Sequence, residues 1–190
     1  MGCLAVAQTG QTPAPSAAQG NPRAGGMAPD WDIRVILREV AAHADRMQPV
    51  FDRINVKSWA ARGASDTYAA QLQSSREQAR AVAAGARKLA ASPEVLSAAL
   101  ELYFRLNALD TMIVSLQEGI RKYQNPAVAE VLAGTAAEGS VNRERFERYI
   151  LDLTVEREQQ FTVMDREAQR CRGALARQPV EIPKTSGRKK

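Results

Sequence analysis

Histidine occurs once in this chain, cysteine twice, and aromatic residues make up only 5% of it. Each shortage excludes a class of function. The lone His43 cannot supply the two Glu-x-x-His pairs of a di-iron bundle, nor a Cys/His zinc site. Glu39 shares a helical face with it, but no third ligand follows, so His43 reads as a structural or surface residue. Cys3 and Cys171 lie far apart and form no CxxC, which excludes a disulfide framework. Any Ser–His–Asp triad would have to use His43, and no GxSxG elbow is present. Walker loop, GxGxxG and EF-hand patterns are all missing. No catalytic, metal-binding or cofactor-binding residue can be assigned, and no cofactor is expected. No apolar run approaches the ~18 residues of a membrane-spanning helix.

What the chain has is alanine, helical periodicity and charge. Hydrophobic residues reach 45%, much of it alanine, so each buried contact is small and helices can approach closely. The net charge of +5 suggests nucleic acid at first sight, but its location does not. Lys184, Arg188, Lys189 and Lys190 lie in the last thirteen residues against Glu181 alone, and Arg23 stands in the head. The body is left nearly neutral, which does not suit a core built to neutralise many phosphates. The basic tail reads as a flexible, solubilising segment whose second reading is contact with an anionic surface.

Apolar spacing divides residues 29–177 into one domain. The first helix starts at Asp30 and carries Ile33, Leu37, Val40, Ala44, Met47 and Phe51 inward, with a kink expected at Asp45–Pro49. A corner follows around Trp59 and Gly63, with Ser65 or Asp66 capping the second helix. That helix, to Ala91, has a seam of small residues from Tyr68 to Leu89. Ser92 and Pro93 are expected to cap and open the third helix. Its register runs from Val95 to Tyr123, widened by Leu100, Tyr103, Phe104 and Met112, and marks it as central. Asn125-Pro126 opens a short helix with Val128, Val131 and Leu132 inward, which ends at Gly139. The last helix runs to Arg177 with a seam of Phe146, Ile150, Leu153, Met164, Ala168, Cys171 and Leu175. Cys171 reads there as a small core residue. The expected fold is all-α: an elongated antiparallel bundle of about four long helices plus one short helix, with disordered termini.

Three sets of residues stand out as sites of interaction. Tyr103, Asn107 and Asp110 bring polar groups beside the central seam, as surface positions, a register-setting pair or part of a pocket. Arg157 and Gln160 break the last seam and suggest a partner surface. The tail lysines and Arg188 are the candidates for anionic contact. The acidic residues of the last helix alternate with arginines, the pattern of a solvated, ion-paired face.

Residues 1–28 show no apolar period and read as a disordered head. Ala5-Val6-Ala7 before Gln8 fits the small-x-small rule of a signal-peptidase site, but six residues cannot hold a complete signal. The head therefore reads as the remnant of an export signal. Myristoylation wants Ser or Thr where Val6 stands. The leading expectation is a non-enzymatic, periplasmic or secreted bundle that works by protein contacts, with a protein partner or a second copy. A cytoplasmic location is the alternative. Two other functions are kept: a small-molecule binder or enzyme with a pocket near the centre of the third helix, and a holdase-like envelope chaperone.

Overall fold

Apolar residues at three- and four-residue spacing build five α-helices in the computed structural model, which describes residues 30–177. They are α1 (Asp30–Asp52), α2 (Thr67–Ala91), α3 (Leu96–Tyr123), α4 (Pro126–Ala137) and α5 (Ser140–Ala176). This is the expected all-α bundle of four long helices and one short one. The head, the Asp30 cap and the basic tail lie outside the described side chains.

Long-range pairs fix the topology. Arg87 pairs with Asp45, and Arg76 with Asp52 at 3.0 Å, so α1 and α2 are antiparallel. Gln78 donates to the Arg105 carbonyl at 2.9 Å, and Gly85 lies against Leu102, which makes α2 and α3 antiparallel. Gly85 has no Cβ, and one added there would stand 3.5 Å from Leu102 Cδ1, an ordinary packing distance. The small residues Ser75, Ala79, Val82, Ala83 and Ala86 fill the α2 seam. α4 folds back against α3 and α1, and α5 lies across α1 and α3.

The core runs through all five helices, from Ile33 and Leu37 to Phe146 and Leu153. Burying each such leucine or phenylalanine stabilises the fold by roughly 1.5–3 kcal/mol. α1 continues as helix across Pro49 to Asp52. The corner forms two short 3₁₀ turns around Trp59, which is fully buried, and Gly63 takes φ +82°, as the turn requires. Ser65, not Asp66, supplies the side-chain contact at the start of α2: its Oγ accepts from the Thr67 N–H at 3.3 Å.

Three local expectations are corrected. Ser92 ends α2 instead of capping α3, and Pro93 lies buried in the turn, so α3 starts at Leu96 and Val95 is exposed. Val131 faces out, because Ala129 and Leu132 already fill the inner face of α4. Asn125 does cap α4, its side chain accepting from the Ala127 N–H at 2.9 Å, with Pro126 at the first position. The third correction is the largest. All the buried side chains of α5 lie between Phe146 and Leu153. Cys171 is exposed, as are Met164 and Leu175, because α5 outruns the helices that would cover them.

Candidate functional site

α3 and α5 are antiparallel, and one ion pair sets their register. Arg143 Nη2 donates to Asp110 Oδ1 at 2.7 Å, and Nη1 pairs with Oδ2. The pair is only a quarter to a third exposed, and Arg143 Nε is buried without a hydrogen-bond partner. Burial pushes the Arg143 guanidinium below the usual arginine value, while nearby Glu147 and Tyr103 oppose that shift. At the far end of α3, Arg157 Nη2 donates to the Glu94 carbonyl at 2.8 Å and its Nη1 to Gln160 Oε1. Arg157 thereby ties α5 to the α2–α3 turn at the level where α3 begins.

Between these two anchors the helices leave an open groove of about 320 Å³, lined by Leu100, Tyr103, Glu147, Ile150, Leu151 and Thr154. Its walls are mostly carbon. The Tyr103 ring packs against Phe104 at 5.7 Å, and Phe104 is 64% exposed. The Thr154 hydroxyl is already used, donating to the Ile150 carbonyl at 2.8 Å. Glu147 is the carboxylate on the lining, half-buried there and not out on the solvated face expected for it.

Past Arg157 the helix projects. Every described residue from Glu158 to Arg172 is exposed. At 1.5 Å per residue, the stretch from Glu158 to Ala176 is roughly 28 Å long. Phe161, Met164, Ala168, Cys171 and Leu175 keep the 3–4 spacing of a packing seam. Phe161 is 72% exposed, Met164 69% and Leu175 65%. Among the described residues nothing covers this seam.

The sequence-expected residues divide between these features. Tyr103 lines the groove. Asn107 is half-buried outside it, and Asp110 is paired with Arg143. Arg157 and Gln160 sit where α5 leaves the bundle. Lys184, Arg188, Lys189 and Lys190 lie outside the described residues. His43 is a hydrogen-bonded contact within the bundle: its Nε2–H donates to the Thr135 carbonyl at 2.7 Å, and its ring lies against Gly139. Among the described residues no three metal-ligating side chains come together. Nor is any described helix long and apolar enough to cross a membrane.

Glu147, Leu151 and Arg143 were not singled out by sequence reasoning. Leu151 is off the seam, and an apolar residue at an off-seam position was the available signal. Comparison with protein-family models, curated proteins and solved structures gives no match.

Proposed function

We propose that this is a non-enzymatic helical-bundle protein of the cell envelope that acts by binding protein through α5. The observation that carries the reading is the projecting seam from Phe161 to Leu175, exposed over its whole length. An isolated amphipathic helix of this length is marginal in water, and a partner on its apolar face would stabilise it. The export half of the proposal rests on the Ala5-Val6-Ala7 motif.

A photo-cross-linking residue placed at position 164 or 175 in producing cells tests the contact. Adducts are expected from these positions and not from a solvated position such as Arg80. Their absence at both seam positions would sink the reading. Fractionating the same cells tests the compartment: a product found wholly in the cytoplasm, with its head uncleaved, would refute export.

The groove favours a second reading, an apolar small-molecule site with the Glu147 carboxylate and the Tyr103 hydroxyl as its polar groups. Thermal unfolding with amphiphiles of graded chain length would test it. A melting temperature unmoved by all of them would count against it.

A further inference from the structure

We propose that the groove between α3 and α5 binds a small organic cation carrying an apolar chain, an inference that rests on the small-molecule reading of the groove above and names its ligand class. The apolar chain lies against Leu100, Ile150 and Leu151, and the ammonium group sits beside Glu147. The projecting seam of α5 takes no part.

Charge decides the ligand class. Of the lining residues, Glu147 alone carries a formal charge. Its carboxylate forms no hydrogen bond or ion pair among the described residues. Arg143 acts on it electrostatically, but both terminal nitrogens of that guanidinium are already committed to Asp110. Two carboxylates therefore share one guanidinium, and one negative charge is left over. The helical faces extend the count, since positions three and four apart lie together. On α5 the groove face runs through Arg143, Glu147, Leu151, Thr154 and Glu158, and on α3 through Leu100, Tyr103, Asn107 and Asp110. Arg143 is the one base on these two runs, against three acids. The other nearby bases are engaged elsewhere. Arg148 is paired with Glu144, Arg105 with Glu101 on the α2 side of α3, and Arg157 is turned to the Glu94 carbonyl and Gln160.

The walls supply the apolar half of the match. A volume of about 320 Å³ is near the small end of ligand sites. From Glu147 to Thr154 α5 rises roughly 10 Å, the length of a chain of about eight carbons. Leu151 is 66% exposed, so a chain laid on it removes apolar surface from water. The Tyr103 ring stands on the lining and Phe104 packs beside it, and an aromatic face attracts a cation. An anion of the same shape meets the Glu147 carboxylate and loses that attraction. A neutral ligand gains the walls alone.

Isothermal titration calorimetry of the purified full chain with octylammonium, octanol and octanoate, each below its micelle-forming concentration, tests this. Octylammonium should bind about ten-fold tighter than octanoate, with octanol between them. High salt should narrow the gap. Shortening the chain to hexylammonium should weaken binding by about two- to four-fold for each methylene lost. Glu147→Gln should weaken octylammonium about three- to five-fold and erase most of its lead over octanol. Octanol, which still binds that variant, reports that its groove is intact. Equal binding of the three probes, or octylammonium binding indifferent to Glu147→Gln, would overturn the cation assignment and leave an apolar groove standing. No binding of any probe would remove both the assignment and the small-molecule reading beneath it.

Discussion

Gly119→Ala and Gly134→Ala make the same chemical change within two helices and should have opposite effects. Replacing a helical glycine by alanine gains about 0.8–1.0 kcal/mol where the methyl group meets nothing. At Gly134 a Cβ would find no atom within 4 Å, so the gain should appear nearly in full. At ~2–4 °C per kcal/mol for a domain of this size, the melting temperature should rise by about 2–3 °C. At Gly119 the same Cβ would stand 2.7 Å from Tyr68 Cε1 and 2.9 Å from Trp59 Cζ3. Carbon atoms rest at about 3.5–4.0 Å, so the rings would have to retreat by about 1 Å.

Those rings are held in place. Trp59 is fully buried, stacks on Tyr123 at 6.0 Å and meets the edge of Tyr68 at 5.3 Å. Its indole N–H donates to Gln124 Oε1 at 3.1 Å, and Gln124 Nε2 is itself anchored to the Arg53 carbonyl. Overpacking of this kind costs roughly 1–3 kcal/mol, more than the helix gain at the upper end and about equal to it at the lower. A net loss of up to about 2 kcal/mol, or up to ~4–8 °C, is expected. Thermal unfolding followed by far-ultraviolet circular dichroism measures it, and the near-ultraviolet signal of the aromatic cluster should weaken. If Gly119→Ala stabilised the protein as much as Gly134→Ala, the cluster would not be seated on Gly119 and the reasoning would fail.

Three further outcomes are expected. Asp110→Ala should cost about 1–3 kcal/mol, because it strands a half-buried Arg143, whereas Asp110→Leu with Arg143→Met should be much closer to neutral. Chemical denaturation of the single and double variants measures both. Gly139→Ala would bring a Cβ within 2.6 Å of the His43 ring, so its cost should largely vanish in a His43→Ala background, as a double-mutant cycle would show. The Arg105 guanidinium, by hydrogen bond and charge, holds Glu101 below the usual carboxylate value. A lowered folded pKa means that this pair stabilises the fold above the unfolded-state pKa and stops doing so as pH falls through the lowered value. Glu101→Gln should therefore flatten the acid limb of the stability–pH curve slightly and leave its alkaline limb alone.

The helices were legible because each carries its own seam, and period alone locates a seam. α2, α3 and the capped start of α4 follow from spacing and from Asn125-Pro126. What spacing could not tell is which face a partner covers. Val95, Val131 and Cys171 keep the period and are exposed among the described residues. Gln124 escaped notice because the groups it joins, Asn55 and Trp59, lie far off in sequence. Ser92-Pro93 misled because a capping pair and a tight turn use the same residues.

The groove and the projection both follow from one long-range fact. Asp110–Arg143 sets one level of α3 beside α5. Counting toward the start of α3 reaches Glu94 as counting along α5 reaches Arg157, and those two residues do meet. Beyond that level α3 has ended and α5 has not. The same seam that fills the core at Ile150 and Leu153 becomes open surface at Met164 and Leu175 without any change in its spacing.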